Sequence, residues 1–489
     1  MNGIMLAIII LLPMAGALPV FLIKWNIRRS MWIYVEAVVS LTALLTFLTL
    51  FNAPADSFTL FSFSDTLHIS FHVDGLSKVF AGLISFLWPL ATLYAFEYMR
   101  KEDHQRTFFT FYILTYSVTL GIALSANMFT MYCFYEMLTM VTLPLVLHSL
   151  SRESILAGRS YLYYSMGGAA FAFIGMIVIL SYGSTTDFVP GGVFAPSVWD
   201  MHAKMLQGVY VMSFLGFSVK AAMFPFGQWL PKAGVAPTPV TALLHAVAVV
   251  KAGAFAIIRL TYYSYGTENL KGSFGQYIPM TLVIFTIVYG CSRALKETHF
   301  KRRLAYSTMS NLSYILFGVT LMTPLGLTGA LCHLVFHALI KISSFFCAGA
   351  VIHQTGKEYI GELDGLGKRM PITFTIFTVS GLALMGVPML PGFVSKWMLA
   401  GAAVEDGGAF AFAGIAALLI SAILTAVYML TVSVRAFIPG RDIDMASLDE
   451  YRDPNLFMLI PLIIFTAVIF ILGVHPGPLT GFLGRVAGL

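Results

Sequence analysis

Lys220-Ala-Ala-Met-Phe-Pro225-Phe-Gly227 puts a lysine, a proline and a glycine into a stretch otherwise apolar enough to cross a bilayer. Proline removes a backbone donor and its ring collides with the preceding turn, so a helix through these residues should break. The same combination returns at Gly386-Val-Pro388-Met-Leu-Pro391-Gly392-Phe-Val-Ser-Lys396. Broken helices at corresponding places in two halves of a chain point to an inverted repeat with a transport path at its centre. The plainer alternative is a pair of ordinary proline kinks, which membrane helices tolerate.

The composition around these stretches fits a bilayer. Of 489 residues, 58% are hydrophobic and 11% are charged, whereas soluble chains carry about 25% charged residues. A soluble enzyme is excluded. A spanning helix needs about 20 apolar residues, and such runs sit near 3–23, 31–51, 76–98, 107–124, 127–149, 160–182, 207–226, 240–262, 275–296, 303–323, 325–352, 371–400, 408–436 and 455–474. The expectation is an all-α integral membrane protein of about 14 transmembrane helices, with two inverted five-helix repeats that each contain a broken helix. Residues 1–489 would form one membrane domain: helices 1–3 in 1–106, the first repeat in 107–262, the second in 275–436, and a last helix with a short tail in 455–489. The first run has no basic residue before it and reads as a retained helix, not a cleaved signal.

The net charge of +6 does not point to nucleic acid, because the basic residues form no cluster. With the N-terminus outside, twenty Lys and Arg fall on the inner side, among them Arg28, Arg152, Arg159, Lys301, Arg303 and Arg441. Lys204, Lys271 and Arg485 fall outside, and Lys78, Lys220, Lys251, Arg259, Lys341 and Lys396 lie within helices or at their edges. This asymmetry is the positive-inside pattern and sets both termini outside. The four cysteines have no CxxC spacing and read as packing residues, so iron–sulfur and zinc ligation are not expected.

Ionisable groups at mid-bilayer cost roughly 2.5–3.5 kcal/mol each on insertion scales. Glu136, Lys220, Lys251, Lys341 and Lys396 must therefore be paired, hydrated or neutralised. The most specific local pattern is His333-Leu-Val-Phe-His337-Ala-Leu-Ile-Lys341. Its i, i+4, i+8 spacing places the three polar groups on one helix face, with rungs roughly 6 Å apart. Histidine titrates near neutrality, so such a ladder can pass protons. Three polar residues that merely tie helices together are the alternative; a metal site lacks a completing carboxylate or thiolate. His245 and Lys251 stand six apart in one run, about 120° off a shared face. Glu136 would ionise beside Lys220 and hold it charged. Glu36 and Glu97 read as interfacial, and Asp74 as a helix cap.

Residues 220–259, KAAMFPFGQWLPKAGVAPTPVTALLHAVAVVKAGAFAIIR, resemble the signature of the proton-pumping antiporter-like subunits of respiratory complex I. The same family includes large subunits of Mrp sodium/proton antiporters and of membrane-bound (group 4) hydrogenases. Further matches are FKRRLAYSTMSNLSYILFG (300–318), HLVFHALIK (333–341) and GVPMLPGFVSK (386–396), in the family's order over about residues 70 to 430. The resemblance implies a proton pathway through Glu136, Lys220, His245, Lys251, His333, His337, Lys341 and Lys396, with helix breaks at Pro225, Gly227, Pro388, Pro391 and Gly392. Three departures bear on the access path more than on this axis. Gly227 replaces a frequent histidine, Lys232-Ala-Gly234 replaces Asp-Ala-His, and Ser310-Asn311 replaces Ser-His. The sequence stops soon after the fourteenth run and is read as lacking a long lateral helix.

The implied function is a proton-translocating subunit of a redox-driven complex, either complex I-like or a membrane-bound hydrogenase, in a prokaryotic cytoplasmic membrane. No cofactor is expected in this chain; Fe-S, flavin or Ni-Fe centres would sit in partners. Those partners would be other membrane subunits, further antiporter-like chains and a peripheral redox arm. The alternative is an Mrp-type sodium/proton antiporter subunit without a redox partner, the carried ion being protons and possibly sodium in exchange. A scaffold that has lost transport would have lost the buried charges, and a channel would dissipate the gradient.

Overall fold

A computed structural model describes residues 3–52, 57–64, 66–440 and 444–489; Arg441 lies outside the described residues. The chain is helical almost throughout. The helices are α1 (Ile4–Leu22), α2 (Arg28–Phe51), α3 (Gly75–Tyr98), α4 (Gln105–Leu124), α5 (Met128–Val146), α6 (Arg152–Tyr182), α7 (Pro196–Ser218), α8 (Trp229–Lys232) and α9 (Thr238–Ala246). They continue as α10 (Val249–Ile258), α11 (Phe274–Lys296), α12 (Phe300–Thr320), α13 (Pro324–Thr355), α14 (Pro371–Met385), α15 (Pro391–Asp406), α16 (Ala409–Phe437), α17 (Leu456–Val474) and α18 (Gly477–Ala487). Among the described residues, eleven helices are long and apolar enough to cross a membrane.

Local chemistry sets where the helices start. Asp74 accepts from the Ser77 amide at 2.8 Å to open α3, and Asn127 accepts from the Thr130 amide at 2.7 Å to open α5. Ser151, Ser273 and Thr323 do the same for α6, α11 and α13. Each cap satisfies a donor that the first helical turn leaves unpaired.

At the centre lies α13, buried at every residue from 326 to 351. It packs against α3, α9, α12, α14, α15, α17 and α18. The outer helices turn apolar side chains outward instead: Leu18, Leu44, Phe171, Ile423 and Ile463 are exposed. An apolar exterior around a polar-bearing interior is the arrangement a lipid solvent demands.

Several features depart from the expectation. A two-stranded antiparallel hairpin, β1 (Phe58–Ser62) with β2 (His68–Phe71), joins α2 to α3, so the fold is not purely helical. Its residues are mostly aromatic and β-branched, types that suit a pleated surface. The run at 240–262 is not one helix: α9 stops at Ala246 and α10 begins at Val249. Arg152 and Arg159, expected in a loop, lie in α6, and Lys301 and Arg303, expected to face the inner aqueous phase, are buried in α12. Of the expected spans, 207–226, 303–323 and 371–400 are not among the eleven. The first two are not apolar enough, and the third is split into α14 and α15.

Candidate functional site

Three interruptions hold the buried charges. The first follows α7, where residues 219–225 leave helical geometry and Ala222 takes a φ of 56°. Lys220 sits in this turn, and Pro225 closes it; Gly227 lies in the short 3-10 turn Phe226–Gln228. The freed backbone groups find side chains: the Trp229 indole donates to the Val219 carbonyl at 2.8 Å, and the Phe224 amide donates to the Thr286 hydroxyl at 3.1 Å. The second interruption runs between α14 and α15. Gly386 (φ 95°) and Met389 (φ 68°) bend the chain around Pro388, while Pro391 and Gly392 form the first turn of α15. The third is at Val247–Ala248, whose amides both donate to the Leu243 carbonyl, at 2.9 and 2.8 Å.

Each interruption places a lysine or histidine among unspent polar groups. The Lys220 ammonium donates to the Tyr135 carbonyl and lies 3.5 Å from the centre of the Tyr135 ring. Glu136, the next residue, is half-buried, and its Oε1 has no hydrogen-bond partner among the described residues. The two are neighbours through Tyr135 and do not form an ion pair among the described residues. Lys396 donates to the Leu384 and Met385 carbonyls, both at 2.8 Å. Those are the last carbonyls of α14, the negative end of a helix, where a cation is favoured.

Between these ends runs the central group. The Lys251 Nζ is 2.6 Å from His337 Nδ1, and both residues are wholly buried. The His337 ring stacks on His333 with centroids 5.7 Å apart, matching the expected rung spacing. His333 Nδ1 is 2.9 Å from the hydroxyl of Ser395, the residue before Lys396. The Tyr314 ring lies 5.0 Å from His333 and 5.3 Å from the Lys396 ammonium. So Lys251, His337, His333, Ser395 and Lys396 line one file across α10, α13 and α15, with hydrogen-bond contact at Lys251–His337 and at His333–Ser395.

Two members stand apart from that file. Lys341 turns away from His337 and donates to Ser307 Oγ at 2.7 Å and to the Leu304 carbonyl at 3.3 Å. His245 packs its ring 4.8 Å from Phe345, and neither ring nitrogen has a partner among the described residues. The break between α9 and α10 also voids the 120° estimate that separated it from Lys251. Lys220 approaches the file only in its backbone: α10 passes so close that a Cβ on Gly253 would meet the Ala221 amide nitrogen at 2.5 Å.

Chemically the file suits proton transfer. A lysine ammonium that donates to Nδ1 requires the ring proton on Nε2. Passing one proton leaves a neutral amine and an imidazolium. The Nε2 atoms of His333 and His337 are buried without partners among the described residues, so each ring has a position to accept or release a proton.

An ion pair that the sequence did not signal lies beside this site. Arg259, 1% exposed, grips Asp74 with both terminal nitrogens and also donates to Ser77 Oγ at 3.1 Å. Phe188, Phe255 and Tyr263 surround the guanidinium at 4.8, 5.2 and 4.6 Å. Burial pushes the Asp74 carboxyl upward, but the Arg259 charge and hydrogen bonds, with those from Ser77, outweigh it and bring it to about 2. Asp74 is thus the cap expected for α3, and in addition a tie to the end of α10.

Comparison with known proteins extends over this whole region. Residues 125–425 match the family described as NADH:quinone oxidoreductase/Mrp antiporter, TM. Residues 61–109 match the NADH-ubiquinone oxidoreductase (complex I), chain 5 N-terminus. NADH-quinone oxidoreductase subunit N of Desulforudis audaxviator is 29% identical over 418 residues, covering 82% of this chain and 81% of that one. A probable K(+)/H(+) antiporter component of Rhizobium meliloti is 34% identical over 344 residues, covering 69% of this chain. The chain spans 33% of that relative and 53% of a Na(+)/H(+) antiporter component of Staphylococcus haemolyticus.

Among solved structures, the archaeal membrane-bound sulfane sulfur reductase superposes with a TM-score of 0.86 at 22% identity, over 100% of this chain and 97% of that one. The Mrp complex of Dietzia sp. superposes with a TM-score of 0.83 at 20% identity, over 99% and 97%. These two likenesses speak to the fold. The sequence match covers more than half of the chain and takes in Glu136, Lys220, His245, Lys251, His333, His337, Lys341 and Lys396, so this is an antiporter-like membrane subunit of the NADH:quinone oxidoreductase/Mrp antiporter family.

Proposed function

We propose that the chain moves protons across the membrane as one subunit of a multi-subunit, redox-driven ion pump. The observation that carries this reading is the 2.6 Å contact between Lys251 Nζ and His337 Nδ1, wholly buried and continued by His333 and Ser395 to Lys396. Protons would reach Lys220 and Lys251 from the inner side, cross by the His333–Lys341 ladder through Lys341, His337 and His333, and leave outward from Lys396. Glu136 would bias the charge on Lys220 from the neighbouring turn, and His245 would link Lys251 towards the Lys341 end. Hard cations are held by oxygen ligands, whereas this file offers nitrogen groups that are themselves cationic when loaded. The proton is therefore the ion it suits.

The finer architecture belongs to the same proposal. Fourteen spans, both termini outside, would arise if α7, α12 and the α14–α15 pair cross along with the eleven apolar helices. Inverted five-helix repeats over 107–262 and 275–436 are supported by matched interruptions, each with a lysine and a positive φ, at Lys220–Ala222 and Met389–Lys396. Helices 1–3 in 1–106 and the segment 455–489 would flank them. Fe-S, flavin or Ni-Fe centres would belong to a peripheral redox arm, with further antiporter-like subunits beside this one. The match to the quinone oxidoreductase relative over most of both chains supports the redox setting in a prokaryotic cytoplasmic membrane.

A second reading, an Mrp-type sodium/proton antiporter subunit, is favoured by the antiporter relatives and the Mrp likeness. The test is proton movement in everted vesicles that carry the assembled complex, driven in turn by an electron donor and by a sodium gradient. Lys220→Ala and Lys341→Ala should each abolish dye quenching while the complex still assembles. Wild-type quenching in either variant would refute the assignment. Quenching that follows sodium and ignores the electron donor would transfer it to the second reading.

A further inference from the structure

Between α12 and α16 lies a seam of hydroxyl groups that meets the histidine file at Tyr314. On α12 the seam holds Ser307, Ser310 and Tyr314; on α16 it holds Tyr428, Thr425 and Ser421. Spacings of three and four keep each set on one helix face. All six side chains are at most 1% exposed. Ser307 Oγ and the Tyr428 hydroxyl are 2.6 Å apart, and the Tyr428 hydroxyl is 3.1 Å from Thr425 Oγ1. Ser310 and Ser421 are paired at 3.1 Å one helical turn further out.

This seam begins at a charge. Lys341 donates its proton to Ser307 Oγ at 2.7 Å, and no histidine accepts from it. Tyr428 is held from its backbone side as well, where the Arg303 guanidinium donates to the Tyr428 carbonyl at 3.0 Å. The tyrosine hydroxyl stands between two other hydroxyls, so it can accept from one while donating to the other, in either direction. That reversibility is what a proton relay needs, and a hydroxyl, unlike a carbonyl, can both accept and donate.

We propose that Ser307, Tyr428 and Thr425 form a proton relay serving Lys341, with Tyr428 as the residue that positions it. The inference rests on the pumping function proposed above and adds a branch to it. In one transfer the Lys341 ammonium gives its proton to Ser307 Oγ, the serine proton passes to the Tyr428 oxygen, and the tyrosine proton passes to Thr425 Oγ1. Thr425, whose hydroxyl donates to the Ser421 carbonyl at 2.7 Å, gives its own proton up to a water molecule entering the seam, so each hydroxyl forms one O–H bond and breaks one, and Lys341 is left as the neutral amine.

The test uses the assembled complex in everted vesicles, with Lys341→Ala as reference. Tyr428→Phe keeps the ring and removes the hydroxyl, and it should slow proton transport about tenfold, as should Ser307→Ala. Ser307→Thr keeps a hydroxyl at the same place and should recover most of the rate, which a purely structural role would not require. Should Tyr428→Phe fail to assemble, Thr425→Val breaks the next link and should give the same slowing. Wild-type rates in assembled Tyr428→Phe and Ser307→Ala, with Lys341→Ala inactive, would overturn the relay alone. Wild-type rates in Lys341→Ala would instead overturn the pumping function beneath it.

Discussion

At the scale of the residue, burial decides which polar groups carry weight. Arg259 and Asp74 show it outside the proton file. Removing one partner of a buried ion pair typically costs about 3–5 kcal/mol, because the other charge is left desolvated. Arg259→Met should therefore lower the thermal unfolding temperature of the purified protein sharply, and Arg259→Lys should recover little, since a lysine cannot bond both carboxylate oxygens as the fork does. The pH dependence follows from the lowered Asp74 carboxyl. A carboxylate with a depressed pKa stabilises the fold fully above its unfolded value, about 3.9, and loses that stabilisation as pH falls through its folded value. The tie should thus be constant between pH 5 and 8 and vanish only as pH approaches 2. A stability difference between wild type and Arg259→Met that changed between pH 6 and 8 would contradict this account.

Sequence spacing was informative here only within one helix. The His333–His337–Lys341 ladder was legible because i, i+4 and i+8 share a face, and the 5.7 Å ring spacing agrees. What lay across helices was not legible: that His337 meets Lys251, that Lys341 meets Ser307, or that Arg259 meets Asp74. These contacts join residues 86, 34 and 185 positions apart. No local periodicity encodes a pairing at that distance.

At the scale of the element, the helix interruptions are the decisive features, and they were legible to different degrees. Proline and glycine announce those near Lys220 and Lys396 through backbone sterics. The interruption at Val247–Ala248 has neither residue within 240–252. Tertiary packing supplies it: α10 must bring Gly253 against the backbone of the Lys220 turn, and β-branched Val247, Val249 and Val250 hold the helix only weakly. The hairpin β1–β2 lies in the stretch between the runs at 31–51 and 76–98, where its strands of five and four residues are too short to stand out as apolar runs. Gly253→Ala tests the packing argument. The added Cβ would lie 2.5 Å from the Ala221 nitrogen, and overpacking of this kind typically costs about 1–3 kcal/mol. A lowered unfolding temperature with slowed transport is expected; a variant as stable as wild type would show that the two elements are not tightly joined.

At the scale of the molecule, an apolar exterior encloses a central helix that is buried along 26 consecutive residues and carries His333, His337 and Lys341. Composition alone excluded water as the solvent, and the charge asymmetry proposed an orientation. The connection from Lys251 to Lys396 depends on three helices meeting, so it emerges only from the assembled fold. Lys251→Met probes it most directly, because methionine fills much of the lysine volume and removes the titratable group. The measurement is electron-donor-driven proton movement in everted vesicles that contain equal amounts of assembled wild-type or variant complex. The account predicts that quenching is lost in Lys251→Met and retained in Lys204→Met, a substitution outside the file. Undiminished quenching by the assembled Lys251→Met complex would contradict it.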